Sequence, residues 1–494
     1  MPQIFEIFHK DICGRIGRLE TPHGTIETPT IMPVVNPNIQ TIKPSEFREF
    51  GAEVIITNSY IIYRKPELRE RALSGGLHSL LDFDGPIMTD SGSYQLSVYG
   101  QVEVNNTQIV QFQQEIGSDI GVPLDIPTPP DVPFTRAESE LEITIERAEE
   151  ALGLKKDMLL AAPVQGSTFS ELRERAARRL SQAGFDVYFD IYPLGAVVPL
   201  MESYRYSDLV DVIVASKKGL PPSAPVHLFG AGHPMMFSLA VALGCDLFDS
   251  ASYALYAKEG RYMTVRGTYH VDKLHYLPCS CPICTSHDAE ELIKSENREE
   301  LLARHNLYAT FAEMREVKQA IKEGSLWELV EQRCRAHPRL LDGLKRALSY
   351  SEWVEQFEPI SKSTFFYSGP ESSLRPEVLR YRKKLKNLDL KGRVLIRAQR
   401  LDNEYDFDYV LDFKPPFGPY PLELKETYPF NAEVTDEPDY ESLTVALQNM
   451  LELMELNPEA EFTFVYDGEH PLMEEIARRA KVIGKGREGA HMKV

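Results

Sequence analysis

Val54-Ile55-Ile56-Thr57-Asn58 is the first of several short apolar runs that end in a polar or glycine-bearing turn and give way to helical periodicity. The later runs lie at 87–90, 122–125, 159–165, 187–195, 226–230 and 246–249. Segments 170–183 and 234–243, between such runs, have the apolar spacing of helices. Strand–helix units that repeat every ~30–40 residues, with continuously apolar strands, predict a parallel sheet covered by helices.

Seven or eight such units in about 250 residues are the number that a (β/α)₈ TIM barrel requires. An open doubly wound sheet is the alternative, but no Gly-x-Gly-x-x-Gly follows the first strand to support it. A barrel would place the residues that close the runs at its C-terminal mouth, where the active sites of such barrels lie. These residues are Asp90, Asp125, Gln165, Gly195, Gly230 and Asp249.

Three of the six cysteines stand in the pattern Cys-x-Cys-x-x-Cys, at Cys279, Cys281 and Cys284. This spacing allows one tight turn to present three thiolates to a tetrahedral Zn²⁺. His305 lies a helix's length downstream and His287 is closer, so the spacing leaves the fourth ligand open. Buried or disulfide-paired cysteines are the alternative, although three cysteines this close are awkward to pair. No His-Glu-x-x-His occurs, so we expect a structural zinc ion.

The length of 494 residues predicts two or three domains. We expect the catalytic barrel over residues 1–345, with a zinc-binding subdomain at about 275–345. A basic α+β domain over 346–420 and a small acidic α/β domain over 421–494 are expected to follow. The formal net charge of −20 argues against indiscriminate nucleic-acid binding, but it leaves room for a local basic face.

The N-terminal segment lacks the basic and apolar regions of a signal peptide, and no stretch approaches the ~20 apolar residues of a membrane span. The cysteines are few and half of them are clustered, which is typical of a reducing compartment. We therefore expect a cytoplasmic protein with no membrane partner.

Asp90 and Asp249 are the candidate catalytic residues. Two aspartates across a barrel mouth can perform chemistry at an anomeric carbon, where one attacks as nucleophile and the other handles protons. Asp90 is followed by small residues, which allow a substrate to approach the backbone, and Asp249 closes an apolar run. A helix N-cap is the ordinary alternative for an aspartate after a strand.

Asp125 and Gln165 are candidates for reading the edge of a heterocyclic base. A carboxylate accepts from the ring N–H and exocyclic amine of guanine, and a glutamine amide donates to its carbonyl. Tyr94 and Phe229 could stack on the two faces of the base, although ordinary barrel core is an equal alternative for both rings.

The segment from Arg375 to Arg400 is almost uniformly basic and contains only two acidic residues, Glu377 and Asp389. Its cations are Arg375, Arg380, Arg382, Lys383, Lys384, Lys386, Lys391, Arg393, Arg397 and Arg400. Such a run within an acidic protein favours contact with a phosphate backbone, and a solvated helix face is the alternative.

Several separated motifs together resemble the tRNA-guanine transglycosylases. They are Thr89-Asp90-Ser91-Gly92-Ser93-Tyr94-Gln95, Val164-Gln165-Gly166, Leu247-Phe248-Asp249, and the three cysteines with His305. Tyr192-Pro193-Leu194-Gly195-Ala196-Val197-Val198-Pro199 is similar to the substrate loop of the archaeal members. Phe366-Tyr367-Ser368-Gly369-Pro370-Glu371 is similar to their extension beyond the barrel, so the resemblance spans essentially the whole chain.

The resemblance implies exchange of guanine at position 15 of the tRNA D-loop for 7-cyano-7-deazaguanine, the archaeosine precursor, through a covalent ribosyl-aspartate intermediate. It implies that Asp249 is the nucleophile and Asp90 the general acid/base. It further implies one zinc ion per chain, held by Cys279, Cys281, Cys284 and His305. The implied substrate-binding residues are Asp125, Gln165, Gly195, Ala196, Tyr94, Phe229 and Ser91.

The resemblance also bears on partners. Archaeal members often carry a C-terminal PUA domain, which we do not expect in this sequence, so a separate PUA-domain protein is a predicted partner alongside tRNA. A homodimer is expected by analogy with the family. The alternatives are a partner subunit without exchange activity or with a later archaeosine step, and a zinc-stabilised tRNA-binding scaffold. A metal-dependent hydrolase is the weakest, because no His-x-His follows an early strand.

Overall fold

The computed structural model describes residues 4–93, 104–182, 188–363, 365–400 and 404–484. The chain divides into two compact units. The first comprises residues up to Lys322 together with Leu329–Ala347, and the second comprises Glu323–Glu328 with the described residues from Leu348 onward.

The first unit begins with an antiparallel three-stranded sheet of β1 (Phe5–Asp11), β2 (Gly14–Thr21) and β3 (Gly24–Thr28). Its side chains Phe5, Leu19 and Ile26 are buried in one cluster with Met32 and Met88 of the strands that follow. This sheet therefore shares a core with the larger sheet of the same unit.

Eight parallel strands form that larger sheet. They are β4 (Thr30–Val35), β5 (Ile55–Asn58), β6 (Ile87–Asp90), β7 (Ile120–Gly121), β8 (Leu159–Leu160), β9 (Tyr192–Leu194), β10 (Val226–Leu228) and β11 (Leu247–Ser250). Neighbours follow chain order, and β11 pairs with β4. Parallel bridges Ala161–Ile191 and Val164–Leu194 join the β8 side to the β9 side. The sheet closes on itself, so the (β/α)₈ barrel is confirmed and the open doubly wound sheet is wrong.

Helices cover the barrel and continue past it. Those up to residue 348 are Ser59–Arg64, Pro66–Gly75, Leu77–Leu81, Asn106–Glu115, Phe134–Leu152, Ser170–Ser181, Val198–Glu202, Tyr206–Gly219, Phe237–Ala242, Ser252–Lys258, Pro282–Ser286, Ala289–Lys294, Arg298–Glu323, Leu326–Cys334 and Pro338–Leu348. A hairpin of β12 (Arg261–Thr264) and β13 (Gly267–His270) precedes the cysteine segment.

Some elements differ from the sequence expectation. The first barrel strand, β4, is not among the predicted runs. The run predicted at 122–125 lies just beyond the short strand β7, and Pro123 within it has no N–H to donate to a ladder. The cysteine segment is followed by helix Ala289–Lys294 and by the long helix Arg298–Glu323, whose middle is buried.

The second unit contains a five-stranded sheet of β14 (Gly392–Arg397), β15 (Tyr409–Lys414), β16 (Gly418–Pro421), β17 (Ala460–Val465) and β18 (Ala480–Ile483). The order is β16-β15-β14-β17-β18, and only β16 runs antiparallel. Its helices are Ser351–Val354, Pro376–Lys384, Tyr440–Leu456 and Met473–Ala477. Strands from both sides of the boundary predicted at 420/421 thus pair in one sheet. Within the described ranges, no helix has both the length and the apolarity needed to cross a membrane.

Candidate active site and metal centre

Asp90 is the last residue of β6, at the C-terminal end of the barrel. Its Oδ2 accepts a hydrogen bond from Asn58 Nδ2 at 3.0 Å, and its Oδ1 accepts one from the Gly92 amide at 3.3 Å. Burial raises the pKa of Asp90 to about 7, and the negative charges of Asp125 and Asp249 act in the same direction. Near neutral pH this carboxyl group can therefore either hold or accept a proton.

Asp249 lies in β11 and is held through one oxygen. Its Oδ1 accepts a hydrogen bond from the Gly230 amide at 2.8 Å and lies 2.8 Å from Nε2 of His227. His227 is fully buried in β10, and Oδ2 of Asp249 receives no hydrogen bond from the parts of the chain that the structure describes. One oxygen is thus fixed while the other is available to a substrate.

Asp125 and Gln165 form a buried pair. Gln165 Nε2 donates to Asp125 Oδ2 at 2.5 Å, while Gln165 Oε1 is buried without a partner among the described residues. Burial raises the pKa of Asp125, and hydrogen bonds involving Ser93 and Gln165 oppose this shift. A buried acceptor without a donor is costly in isolation, so this pair is suited to a ligand that supplies donors.

Gly195 lies directly against this pair. A Cβ at position 195 would stand 2.1 Å from Gln165 Nε2 and 3.3 Å from Asp125 Oδ2, so only glycine allows this approach. The next residue, Ala196, has a φ of 56°, which is unusual for a residue other than glycine. The loop therefore brings its backbone close to the polar pair at the cost of local strain.

Arg173, on helix Ser170–Ser181, ties the two loops of this site together. Its fully buried guanidinium donates to the carbonyls of Val164, Ser167 and Gly195 at 2.7, 2.8 and 2.9 Å. Burial lowers the pKa of Arg173 to about 9, and the charge of Asp125 opposes this shift. The cation fixes the backbone on both sides of Gln165 and at Gly195.

Ser91 is buried and its hydroxyl lies 3.1 Å from the Pro123 carbonyl and 3.0 Å from the Ser93 hydroxyl. Ser93 in turn accepts a hydrogen bond from the Asp125 amide at 3.1 Å. The two serines thus hold the segment that carries Asp125. Phe229 is partly buried, and its ring lies edge-on to His227 with centroids 4.5 Å apart. Tyr94, predicted to stack on the base, lies outside the described residues.

The cysteine cluster is assembled as a potential metal centre. Ligand atoms of Cys279, Cys281, Cys284 and His305 lie within 4.8 Å of one another. His305, on the long helix Arg298–Glu323, presents Nδ1 to Cys281 and Cys284 at 3.5 and 3.4 Å, while its Nε2 lies 2.9 Å from the Met263 carbonyl. His287 contacts the Ile283 carbonyl instead. Of the two histidines that the spacing left open as fourth ligand, the structure brings His305 to the three cysteines.

The donor set and its surroundings fit a zinc ion. Three thiols and one imidazole are the composition of closed structural zinc sites. The Met263 carbonyl orients the imidazole so that Nδ1 faces the sulfur atoms, and the Tyr262 hydroxyl lies 3.2 Å from Cys284 Sγ. Such outer contacts are what orients ligands in metal centres.

The basic segment is less exposed than its sequence suggests. Arg375 is fully buried and pairs with Glu377 and Glu328, and Arg397 pairs with Asp412 and Glu404. Other pairs are Arg380–Glu355, Lys383–Glu355 and Arg382–Glu452. The exposed cations for which the described chain provides no ion pair are Lys384, Lys386, Lys391, Arg393 and Arg400.

Comparison with known proteins decides the family. The profile of the family described as queuine tRNA-ribosyltransferase matches residues 11–339. A tRNA-guanine(15) transglycosylase of Methanosarcina barkeri is 67% identical over 486 residues, which cover 98% of each chain. The chain belongs to the tRNA-guanine transglycosylase family. As a member of this family it is a pentosyltransferase, and the resemblance of its motifs is confirmed.

Two further relatives have lower identities to this chain. The protein of the same name from Haloferax volcanii is 52% identical over 94% of this chain and 90% of its own length. That from Methanothermobacter thermautotrophicus is 51% identical over 86% of this chain and 67% of its own length.

Sequence reasoning missed four polar residues of the candidate active site. Asn58 is the last residue of the first predicted strand run, so its position in the sequence could have predicted that it lies at the barrel mouth. Ser93 lies in a quoted motif. His227 lies within an apolar run that reads as barrel core, and Arg173 lies in a charged helix where it reads as solvent-exposed. No local signal distinguishes the last two.

Proposed function

We propose that the protein exchanges guanine at position 15 of tRNA for 7-cyano-7-deazaguanine through a covalent ribosyl-aspartate intermediate. The relatives named tRNA-guanine(15) transglycosylase support the nucleic acid and the position. The observation that supports the chemistry is the hydrogen bonding of Asp249. One of its carboxylate oxygens is fixed by His227 and Gly230, and the other receives no hydrogen bond from the described chain. Asp90, the second carboxyl group, interacts electrostatically with it.

In the first step, Asp249 Oδ2 attacks C1′ of the ribose as the bond from C1′ to N9 of guanine breaks. The electron pair of that bond goes to N9, and Asp90 in its acid form delivers a proton to the leaving base. The hydrogen bonds of His227 and Gly230 to Oδ1 hold the attacking carboxylate in one orientation.

In the second step, 7-cyano-7-deazaguanine occupies the place that guanine left. Asp90, now a carboxylate, takes the proton from N9–H, and N9 attacks C1′ while the bond to Asp249 breaks. Two inversions restore the original configuration at C1′. Because Asp90 ends with the proton it began with, the cycle needs no external acid, base, nucleotide or redox cofactor.

Base recognition follows from the Asp125–Gln165–Gly195 group. The ring N1–H and exocyclic amine shared by guanine and its deaza analogue would donate to the Asp125 carboxylate and to Gln165 Oε1, which lacks a donor in the described chain. The apolar stretch Ala196-Val197-Val198 favours the neutral nitrile over a cationic aminomethyl group, which would require an acceptor nearby. Phe229 would pack on the base, with Tyr94 on its other face.

We infer that a zinc ion would be held by Cys279, Cys281, Cys284 and His305, where it supplies a structural cross-link and no catalytic step. We further propose a homodimer, a cytoplasmic location, and a separate PUA-domain protein as a partner in tRNA binding. Sedimentation at graded concentrations tests the dimer. Equally tight tRNA binding with and without a PUA-domain protein would contradict the partner proposal.

The deciding experiment follows radiolabelled guanine in unmodified tRNA during a chase with 7-cyano-7-deazaguanine. We expect the wild type to release label and Asp249→Asn to retain it, and tRNA altered only at position 15 to be inert with both. A covalent protein–tRNA adduct should be detected with the wild type on a denaturing gel. Inertness of the wild type, even with a PUA-domain protein added, would favour the alternative of a tRNA-binding partner subunit without exchange activity.

A further inference from the structure

A second cluster of potential metal ligands lies at the end of the barrel opposite the candidate active site. Asp119 directly precedes β7, and its carboxylate also contacts the first residue of β6, so it sits at the N-terminal ends of these strands. His23 occupies the turn between β2 and β3, and His78 lies on helix Leu77–Leu81. Three elements that are distant in sequence therefore meet at one carboxylate.

The three side chains converge closely. His23 Nδ1 lies 2.8 Å from Asp119 Oδ1, and His78 Nε2 lies 3.1 Å from Asp119 Oδ2. The two imidazole rings are tilted by 34° to each other, with centroids 3.8 Å apart. The potential ligand atoms all lie within 4.8 Å of one another, as do those of the Cys-His centre.

The carboxylate at the centre is fixed in place by the backbone. Asp119 is fully buried, and its two oxygens accept hydrogen bonds from the amides of His23 and Ile87, each at 2.8 Å. Each oxygen thus keeps one direction towards the backbone and one towards the imidazoles. The imidazoles are more accessible, with 48% of the His23 side chain and 20% of the His78 side chain exposed. The cluster therefore combines a buried carboxylate in a fixed position with imidazoles that solvent can reach.

We propose that His23, His78 and Asp119 form a second metal site, which binds a borderline divalent ion such as Zn²⁺, Ni²⁺ or Co²⁺. Two neutral imidazoles and a carboxylate are a common ligand set for these ions, and water would complete the coordination on the exposed side. The ion would bridge the β2–β3 turn, helix Leu77–Leu81 and the start of β7. It would stabilise the N-terminal end of the barrel without taking part in base exchange, so this inference does not depend on the proposed function.

The site differs chemically from the Cys-His centre, which allows the two to be separated. Cobalt bound by thiolates gives intense sulfur-to-metal charge-transfer absorption, whereas a site of nitrogen and oxygen ligands gives only weak visible bands. The full-length protein is loaded with Zn²⁺ at the Cys-His centre and titrated with Co²⁺ near pH 7.5. Bound metal is counted by mass spectrometry, and the absorption spectrum is recorded.

We expect the wild type to bind a second equivalent of metal without a thiolate charge-transfer band. His23→Ala should remove that equivalent and leave the zinc of the Cys-His centre in place, while His9→Ala, at an exposed histidine of β1, should bind like the wild type. Added Zn²⁺ should raise the Tm of the wild type and of His9→Ala by several degrees more than that of His23→Ala. Because His23 is half exposed, its loss should not prevent folding.

Either of two results would overturn the proposal. In one, the wild type takes up no metal beyond the Cys-His centre, so that the trio is only a hydrogen-bonded cluster. In the other, His23→Ala binds the second equivalent as tightly as the wild type. His78→Ala serves as an independent variant, and it should weaken binding of the second equivalent by at least about 10-fold.

Discussion

His227 and Asn58 each hold one oxygen of an aspartate proposed to react with the substrate. Each contact fixes the orientation of a carboxylate group, which could otherwise rotate about its side-chain bonds at the end of a strand. At the scale of the residue, the reactivity of the site therefore depends on side chains that never need to touch the substrate.

Replacing His227 tests this positioning role. His227→Ala leaves Asp249 Oδ1 with the Gly230 amide alone, so we expect the single-turnover rate of guanine release to fall by about 10²-fold. The KM for tRNA should change little, because His227 is buried. His227→Gln, whose amide can still donate, should recover part of the rate. Equal rates for alanine and wild type would show that Gly230 is sufficient.

The pKa of Asp90, raised to about 7 by burial, predicts how guanine release depends on pH. The proposed first step needs the acid form, so the rate of label release should fall about tenfold per pH unit above pH 7. Single-turnover measurements between about pH 5.5 and 9 check this dependence. A rate that rises through pH 7 would assign Asp90 a different role in that step.

The same pKa predicts a stability effect. Between about pH 4 and 7 the folded protein binds a proton at Asp90 that the unfolded chain has released, so its stability contribution falls as pH rises through this window. Asp90→Asn removes the titration. The Tm of Asp90→Asn minus that of the wild type should therefore increase from pH 4 to pH 7 and stay constant above pH 7. A constant difference across the whole range would contradict the raised pKa.

At the scale of elements, two loops form the proposed base site because helix Ser170–Ser181 supplies one cation to both. Arg173 spans the carbonyls of Val164, Ser167 and Gly195, so Gln165 and Gly195 keep a fixed separation. At this separation, the 2.5 Å hydrogen bond between Gln165 and Asp125 fits only because residue 195 is a glycine.

Gly195→Ala tests this separation. A methyl group would meet Gln165 Nε2 at 2.1 Å and displace the amide from Asp125. We expect the KM for the incoming base to rise by at least about 10-fold, since a misplaced polar contact typically costs about 1–3 kcal/mol. Gly75→Ala, at the exposed end of helix Pro66–Gly75, where an added Cβ would meet nothing closer than 3.6 Å, is the control and should keep the KM near that of the wild type. An unchanged KM in Gly195→Ala would mean that the loop yields.

The candidate metal centre brings together a short helix, Pro282–Ser286, and the long helix Arg298–Glu323 through Cys284 and His305. We expect Cys284→Ser to lose zinc and to lower the Tm by several degrees, because structural zinc binding contributes directly to folding. Cys13→Ser, at a partly exposed cysteine outside the cluster, should retain the metal. Metal analysis and thermal unfolding measure both effects. Full metal retention in Cys284→Ser would remove Cys284 from the ligand set.

At the scale of the whole molecule, a chain of net charge −20 must bind an anionic nucleic acid through selected cations. Half of the cations in the basic segment form ion pairs with carboxylates from other parts of the chain, including Glu355, Asp412 and Glu452. The remaining exposed cations are the ones that can meet phosphate.

We therefore expect tRNA affinity to depend on Lys384, Lys386 and Lys391. Replacing all three by glutamine should weaken binding and reduce the slope of log K against log salt by about 1 for each residue that contacts phosphate. The control replaces Lys10, Lys43 and Lys156, three exposed lysines of the barrel unit, and removes the same total charge. If both triple variants lose the same affinity, only overall charge matters.

The sequence by itself determined the barrel, the family and the cysteine cluster that supplies three of the four candidate metal ligands. Apolar runs and helical periodicity are local, and strand ends in a barrel necessarily share one rim, so the order of residues alone places Asp90, Asp125, Gln165 and Asp249 at the mouth. Three cysteines within six positions likewise need only one turn to converge. The role of each site residue stays a prediction, including that of Tyr94.

Only the tertiary structure decided which side chains meet across the fold. Strand pairing puts His227 beside Asp249, helix packing carries Arg173 onto two loops, and acidic residues from other elements neutralise Arg375 and Arg397. The same holds for the trio of His23, His78 and Asp119, which are far apart in sequence. Such contacts depend on strand register and barrel closure, which are properties of the packed chain as a whole and leave no local pattern in the sequence.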